Sequence, residues 1–499
     1  MRSPLLPCLA PLLLLGAAGC SSVENAHRQK EPMMTGYLAG DQEAVRAVLD
    51  EKLQDPAWYN SSTIDTGDEV MWRLEAGSFD YLTGRYDRCI EHLDRAEERI
   101  AAFDQRAVVN LRGAGAESAM LITNLNALPY RGFCRDRVMA AVIKAFAYLG
   151  KHDEAGFRTE LFRLREIQDQ VIAEYDEYFQ KEEEARQRVE SSNRKAAKSV
   201  KTGELFSDPS NQEVSKAVAE TKEIAQRCYG RFLNPLAIFL SGYGYAREND
   251  FQNAIVDFDR LYRAMPDHPL LKRYHVTAER LAGRDLPPDL AEEPSLDFVP
   301  GHGTVLAIFA NGRGAAFRQV ALYIPVILPK YVSVAAVAWP VCEYYAAPYQ
   351  KLTLQAGGHE FSTAPLADMD AILAQEYTER LPGMIARIVL STAVKEFASY
   401  AAAEAARQAN ENAGLAIALA AAAYKVIFNT ADTRTWEMLP KEYQFVEFPL
   451  PADRRITLAP IGTAPVTVEI PPTAGSAILY VNAPAAPPAA WSCQLFELP

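Results

Sequence analysis

The most distinctive polar residues of the chain lie close together in the stretch Ala431-Asp-Thr-Arg-Thr-Trp-Glu-Met-Leu-Pro440. Arg434 and Trp436 are two residues apart, which suits an extended segment, and Asp432 is near enough in sequence to pair with the guanidinium of Arg434. Two interpretations remain open. The favoured one is that Asp432, Arg434 and Trp436 form a structural clamp that holds helices to a returning sheet. The other is that they form a corner that binds a ligand.

The motifs of common catalytic and metal centres do not occur in the sequence. It contains no HExxH pair, no Walker loop and no nucleophile elbow, and its seven histidines lack the spacing of a metal site. We therefore predict a protein that is not an enzyme and uses no cofactor or metal. The alternative is an enzyme or small-ligand binder whose site lies in the C-terminal domain, near His359, Arg434 and Trp436.

The first 20 residues have the pattern of a targeting segment. Arg2 precedes an apolar run, and small residues lead to a cysteine, as in a secretory signal. The residues Ala17-Ala-Gly-Cys20 resemble the lipobox of bacterial lipoproteins, although alanine stands where that family usually has leucine. This resemblance implies that residues 1–19 are a signal peptide and that Cys20 becomes the lipidated first residue. Because Ser21 is not aspartate, it also implies the periplasmic face of the outer membrane.

The composition is that of a large, acidic, globular protein. Of 499 residues, 49% are hydrophobic and 23% charged, so we expect two or three folded domains. The net charge of −13 argues against nucleic acid as a partner and against binding to anionic lipid by charge alone. An odd number of cysteines follows Cys20, with no metal-site spacing, so we expect scattered buried thiols and leave any disulfide pairing open. They are Cys89, Cys134, Cys228, Cys342 and Cys493.

Residues 36–285 carry degenerate helical repeats. In the clearest unit, residues 235–266, two helical segments are broken by a polar turn, and Gly242 and Ala254 are the small residues that allow close approach. A second unit runs from 72 to 100. The units resemble tetratricopeptide repeats (TPR), a resemblance that implies antiparallel helix pairs with a concave surface for a protein partner. A generic helix bundle is the alternative.

Three other segments divide the chain. Residues 20–35 are expected to be a polar tether. Residues 160–212 interrupt the array with a long charged helix and a polar loop, for which a solvated helix is favoured over a coiled coil. Residues 286–300 are a proline-rich linker, because proline cannot continue a helix and the hydrophobic period changes from 3.6 to about 2 afterwards.

Residues 301–499 are predicted to be an α+β domain. Residues 304–309 and 316–324 are expected to form a hairpin around Asn311-Gly312, which supplies the backbone angles of a tight turn. Short strands between residues 443 and 481 should pair with the strands that precede an inserted helical block at residues 368–428. The predicted fold is thus multidomain, an all-α TPR-like array followed by an antiparallel, β-sandwich-like sheet with an inserted Ala-rich helical hairpin.

The inserted block is unusually rich in alanine. We expect an interruption at Pro382-Gly383 and a close-packed helical hairpin over residues 398–423 that turns near 410–414. The segment 413–428 is almost free of charge. Burial inside the domain is the favoured interpretation, and self-association into a homo-oligomer through these helices is the next.

The motif Ala-Asp-x-Arg-x-Trp-x-x-Leu-Pro, at the end of the helical block and behind a TPR-like half and a lipobox, resembles a family of proteobacterial outer-membrane lipoproteins. Members of that family look like neighbours of penicillin-binding-protein activator lipoproteins. The resemblance implies a lipid-anchored envelope scaffold that binds a protein partner through its TPR-like half, in peptidoglycan synthesis or envelope assembly.

Overall fold

The computed structural model describes residues 25–110, 129–192, 200, 205–330, 332–408, 430–459 and 464–499. The predicted signal peptide, the predicted lipidation site Cys20, and the predicted turn at 410–414 with the nearly uncharged segment 413–428 lie outside these residues. Within the described residues, no helix combines the length and the apolar character needed to cross a membrane.

The N-terminal half is a helical array, as predicted. Its helices are α1 (Ala26–Ala39), α2 (Gln42–Leu53), α3 (Glu69–Leu82), α4 (Tyr86–Asn110), α5 (Cys134–Gly150), α6 (Glu154–Ser192), α7 (Gln212–Ala225), α8 (Pro235–Arg247), α9 (Phe251–Ala264) and α10 (Leu271–Leu281). Short 3₁₀ turns occupy Pro209–Asn211 and Pro288–Leu290.

Small residues set the approach of neighbouring helices. A β-carbon at Gly77 of α3 would lie 2.6 Å from the side chain of Leu93 on α4, and one at Gly242 of α8 would lie 2.8 Å from Phe258 on α9. Asn234 caps α8 by accepting hydrogen bonds from backbone N–H groups of its first turn. These pairs are the ones that the repeat spacing predicts to pack against each other.

The predicted tether is shorter than expected, because α1 begins at Ala26. Lys30, Met33 and Met34 of this helix are buried. The N-terminal segment looks polar in sequence because Lys30 is charged, yet that charge is neutralised inside the protein by carboxylates from distant parts of the chain. Residues 26–35 of the predicted tether therefore belong to a packed helix.

The C-terminal half consists of strands around one long helix. The strands are β1 (Thr304–Arg313), β2 (Ala316–Ile327), β3 (Val332–Glu343), β4 (Thr353–Ala356), β5 (His359–Ser362), β6 (Ala364–Asp368), β7 (Pro440–Pro449), β8 (Arg455–Leu458), β9 (Val466–Glu469), β10 (Ser476–Ala483) and β11 (Ser492–Leu498), with α11 (Met369–Gln408) inserted between β6 and β7.

The strands form a five-stranded sheet in the order β11-β10-β1-β7-β6, a four-stranded sheet β5-β4-β8-β9 and a ribbon β2-β3. The predicted pairing across the helical insertion is confirmed, since β1 pairs with β7 and β10, and β4 with β8. The β1–β10 pair is parallel, so the sheet is not wholly antiparallel.

The predicted hairpin at Asn311-Gly312 is wrong. Both residues lie inside β1, where Asn311 is opposite Ala483 and Glu442, while β2 leaves for its own pairing with β3. An Asn-Gly pair permits a tight turn without requiring one. Here Gly312 has a positive φ of 75°, yet β1 continues to Arg313, which pairs with Pro440 of β7.

The interruption predicted at Pro382-Gly383 is also absent, because α11 continues through Pro382. A proline removes one helical hydrogen bond, but burial of Leu381 before it and of Val389 and Ala393 after it holds the helix in place.

The five-stranded sheet joins the two halves of the chain. Along β1, Leu306, Ile308 and Ala310 belong to the large core shared with the helices, whereas Val305 and Phe309 belong to the core shared with the four-stranded sheet. This alternation is the two-residue period of a strand buried on both faces. The proline-rich stretch between the halves is packed as well, with Leu290 and Leu296 buried.

Candidate functional site

The segment of residues 431–439, here called the junction segment, lies directly before β7 as a buried stretch outside any helix or strand. Its first residue, Ala431, donates its N–H to the side-chain oxygen of Gln319 on β2 at 2.8 Å. Near its end, the carbonyl of Leu439 accepts the N–H of Gly314 at 2.9 Å. A β-carbon at Gly314 would lie 2.8 Å from that carbonyl, so the close approach requires glycine.

Asp432 and Arg434 form a bidentate pair. The Nε and Nη2 atoms of Arg434 donate to the two carboxylate oxygens of Asp432 at 2.8 and 2.7 Å, and Nη1 donates to Asp68 at 3.0 Å. Burial alone would lower the pKa of Arg434, but the Asp432 and Asp68 carboxylates raise it. Asp68 immediately precedes α3, so the pair links the junction segment to the helical half.

Trp436 lies wholly inside the core. Its Nε1 donates to the hydroxyl of Ser78 on α3 at 3.0 Å. The guanidinium of Arg135 on α5 donates to the Thr435 hydroxyl at 2.9 Å and to the Trp436 carbonyl at 3.2 Å. The junction segment therefore satisfies its polar groups with side chains from two helices of the array.

Glu437 is the centre of a buried ionic cluster that the sequence analysis missed. Lys30 Nζ lies 2.9 Å from Glu437 Oε1 and 3.3 Å from Glu75 Oε1, and all three side chains are inaccessible to solvent. The other carboxylate oxygen accepts Arg313 Nη2 at 2.9 Å, and His27 Nδ1 lies 3.1 Å from Oε1. Burial would raise the pKa of Glu437, but Lys30 and His27 lower it to about 2.

Glu75 completes this cluster by binding backbone. Its two oxygens accept the N–H groups of Glu437 and Met438 at 2.8 and 3.0 Å. Burial raises the pKa of Glu75, although Lys30 opposes this change. Nothing in the spacing of Lys30, Glu75 and Glu437 links them, because they come from α1, α3 and the junction segment.

A cavity of about 170 Å³ opens beside the Arg434 end of the junction segment. Asp432 and Arg434 line it on one side, and Glu376 and Arg380 of α11 line it on another. The ring of Tyr130 lies in the wall, 5.7 Å from the guanidinium carbon of Arg434. The cavity thus lies where the helical array, the long helix α11 and the junction segment meet.

The groups in the cavity wall suit binding better than covalent chemistry. Glu376 accepts the backbone N–H of Cys134 at 2.7 Å and pairs with Arg380, which lies 4.8 Å from the ring of Phe133. Burial raises the pKa of Glu376 and raises that of the Cys134 thiol well above its usual range. A protonated thiol is a poor nucleophile, so this cavity offers guanidinium and aromatic groups to a ligand rather than an attacking atom.

The structure does not bring the predicted ligand corner together. Asp432 and Arg434 line the cavity, Trp436 is sealed in the core, and His359 lies exposed on β5 beside Phe361. Among the described residues, no group of histidine, cysteine and acidic side chains could hold a metal ion. The five cysteines after Cys20 are free thiols, and burial raises the pKa of Cys342 to about 12.

A second concave surface lies on the helical half between α2, α3 and α4, and is here called the α2–α4 groove. Its volume is about 290 Å³. Leu49, Leu53 and Phe79 contribute apolar surface, while the polar lining comprises Arg46, Asp50, Asp80, Arg85, Arg88 and His92. Burial and the neighbouring Arg73 lower the pKa of His92 to about 3, so its imidazole is neutral near pH 7.

Comparisons with family models, with curated proteins and with solved structures found no match to this chain.

Proposed function

We propose that the protein is a non-enzymatic scaffold of the cell envelope, anchored by lipid on Cys20 at the periplasmic face of the outer membrane. In this proposal the helical half is TPR-like and binds a protein partner, and the sheets form a sandwich-like body. The process is peptidoglycan synthesis or envelope assembly. The lipobox and the motif around Arg434 support the anchor and the process through the resemblances that they carry.

The α2–α4 groove is the observation that carries the partner-binding part of this proposal. Arg88 is 47% exposed in its side chain and lies 3.6 Å from both Asp80 and Asp50, beyond the length of a good hydrogen bond. Such loose pairs can be exchanged for contacts with a partner at small cost. The groove therefore combines an apolar floor with charges that remain available.

The polar residues of the junction segment support a scaffold in another way. Arg434, which Asp432 holds in place, donates to Asp68, and Glu437 lies at hydrogen-bond distance from Lys30; both partners belong to the helical half. A body held together in this way keeps the groove at a fixed position relative to the sheets, which suits a protein that presents one partner to another.

In-cell crosslinking tests the proposal. The lipidated protein and an Arg46→Glu/Arg88→Glu variant are crosslinked in intact cells, and partners are recovered and identified. We expect one defined envelope protein with the native chain and about tenfold less with the variant, because reversed rim charges disfavour the complex.

Arg158→Glu is the matched control. Arg158 has a 55% exposed side chain and lies 3.5 Å from Glu248 at another concave surface, between α6 and α8. This variant should recover the partner at the native level. Recovery of no protein partner by the native chain, or equal loss in both variants, would contradict the proposal.

A second candidate function is small-ligand binding at the cavity beside Arg434. The observation that favours it is that Arg380, Arg387 and Arg434 all line one cavity with aromatic side chains in its wall. Guanidinium groups suit a small carboxylate or phosphate. Inorganic phosphate or a small dicarboxylate should then raise the Tm of the native protein, and the Arg387→Gln substitution should abolish this rise. If neither ligand raises the Tm of the native protein, binding of these two ligand classes is excluded.

A further inference from the structure

The loop after α2, residues 55–62, is fixed by its own hydrogen bonds. Asn60 is the centre of this arrangement, since its side-chain oxygen accepts the N–H groups of Ala57 and Ser62 at 3.1 and 3.3 Å. Its amide nitrogen donates to the carbonyl of Asp55 at 2.8 Å. The loop therefore has a defined shape, and the direction of its side chains is set by its sequence.

This loop presents two aromatic rings to solvent. Trp58 is 96% exposed and Tyr59 is 75% exposed, and their ring centroids are 5.6 Å apart in an edge-to-face pair. Large aromatic side chains at such exposure gain no free energy from burial. A rigid loop that holds two of them outward indicates a surface that becomes covered in the working protein.

The segment that follows the loop and the first turn of α1 both contact the junction segment. The loop leads into Asp68, which accepts a hydrogen bond from Arg434. Thr433, next to Arg434, accepts the backbone N–H of His27 at 3.2 Å through its hydroxyl. Asp68, six residues after the end of the loop, and His27 in the first turn of α1 thus contact neighbouring residues of the junction segment.

Cys20 is five residues before Asn25, the N-cap of α1. Five extended residues span at most about 17 Å. A membrane that holds the lipid on Cys20 must therefore pass near the beginning of α1, whose first turn contacts the junction segment beside the residue that binds Asp68.

We propose that Trp58 and Tyr59 contact the interfacial region of the membrane in which Cys20 is anchored, and so fix the orientation of the protein on that membrane. This inference rests on the proposed lipid anchor. Tryptophan and tyrosine suit this place, because each has an apolar ring and a polar group that can stay among the lipid headgroups.

Charge does not drive this contact. The loop contains Asp55, and Glu51 and Lys52 lie just before it at 3.6 Å from each other, so the region offers no excess of cations to anionic lipid. Binding through the rings should accordingly survive high salt, unlike binding through a basic patch.

Tryptophan fluorescence of the reconstituted full-length protein tests the inference. The protein is placed in phosphatidylethanolamine and phosphatidylglycerol vesicles with or without brominated acyl chains, which quench indoles in contact with lipid. Trp72, Trp339 and Trp436 are buried and Trp491 is half-buried, and all four are shared by both proteins, so the difference between the native protein and Trp58→Phe isolates the Trp58 signal. We expect brominated lipid to reduce native emission, at low and high salt, and to leave the emission of the variant unchanged.

Leu281→Ser is the control, because Leu281 is a 42% exposed apolar side chain on α10. It should be quenched like the native protein. The inference would be overturned if acrylamide quenches the emission of Trp58 and brominated lipid does not. It would also be overturned if soluble glycan strands alone protect Trp58 from quenching by acrylamide.

Mass spectrometry of Cys20 separates this inference from the proposed function. An acylated Cys20 without quenching of Trp58 keeps the anchor and overturns the contact. An unmodified Cys20 overturns the anchor; quenching of Trp58 by brominated lipid would then still support the contact, and its absence would overturn that too.

Discussion

Two buried glutamates, Glu437 and Glu447, join the helical half to the sheet in different ways. Glu437 lies within hydrogen-bond distance of Lys30, His27 and Arg313, and its pKa is lowered to about 2. Glu447, ten residues later on β7, is surrounded by neutral donors. Its carboxylate accepts hydrogen bonds from the hydroxyls of Tyr274 and Thr304, each at 2.6 Å. Burial raises the pKa of Glu447 to about 7.

The difference shows what makes a buried carboxylate stable. Both side chains lose their hydration, which by itself raises the pKa. At Glu437, the neighbouring cations more than offset the effect of burial on the pKa. At Glu447, the two hydroxyls and the N–H of Gly301, which donates at 2.7 Å, offset that effect only in part. Glu437 therefore holds the halves together as a charged group, and Glu447 does so best when it carries a proton.

Removal of the central cation should have the largest effect. Lys30→Met leaves Glu75 and Glu437 buried beside each other without the ammonium between them, so we expect a loss of about 3–5 kcal/mol in the free energy of unfolding. Urea unfolding followed by circular dichroism measures it. Lys330→Met removes an exposed partner of Glu404 and should cost no more than about 1 kcal/mol. Equal losses of unfolding free energy in the two variants would show that the buried ionic cluster contributes no more to stability than an exposed ion pair does.

The two glutamates should respond to pH in opposite directions. The folded pKa of Glu447, about 7, lies above the ordinary 4.5, so its contribution to stability is present below pH 4.5 and is lost as the pH rises through 7. Glu447→Gln should raise the free energy of unfolding by about 3 kcal/mol at pH 8 and change it little at pH 4. The folded pKa of Glu437 is depressed, so its contribution is present above pH 4.5 and is lost as the pH falls through 2.

Thermal unfolding of both variants between pH 3 and pH 8 measures this contrast. Glu437→Gln should destabilise the protein most above pH 4.5. If Glu447→Gln instead destabilises the protein equally at all pH values, the carboxylate of Glu447 is not kept uncharged by its surroundings.

A neutral hydrogen bond at the same junction should matter less. Ser78→Ala leaves the indole N–H of Trp436 buried without its acceptor, so we expect a loss of about 1–2 kcal/mol that does not depend on pH. A pH-dependent loss would indicate that the substitution disturbs the neighbouring ionic cluster instead. Unfolding in urea at pH 5 and pH 8 distinguishes the two.

The helical first half was predictable because its signals are local. Gly77 and Gly242 stand at helical spacing from apolar residues, and prolines follow where the array ends. Pairing of the two strand sets across α11 was predictable as well, since strands with exposed edges must find partners. The prediction of a hairpin at Asn311-Gly312 was wrong because β1 pairs with β7 and β10 rather than with β2, and Gly312 takes its positive φ inside the strand.

The candidate site was predictable only in part. The spacing of Asp432 and Arg434 indicated their mutual pairing, which the structure contains at 2.7 and 2.8 Å. The third partner, Asp68, is 366 positions away from Arg434, and no pattern in the sequence connects them. Lys30 was even harder to place, because a lysine near the predicted tether resembles a solvated charge until its buried partners are known.

The sequence by itself determined the order of a helical half and a strand-rich half, since hydrophobic period, glycine and proline act over a few residues. It also carries the lipobox-like residues 17–20 that motivate the proposed anchor. The tertiary structure alone decided that the two halves share one core through β1, that Lys30 meets Glu75 and Glu437, and that Arg434 borders a cavity. These contacts depend on groups brought together from distant positions, and the free energy of a buried charge is set by such neighbours rather than by its place in the chain.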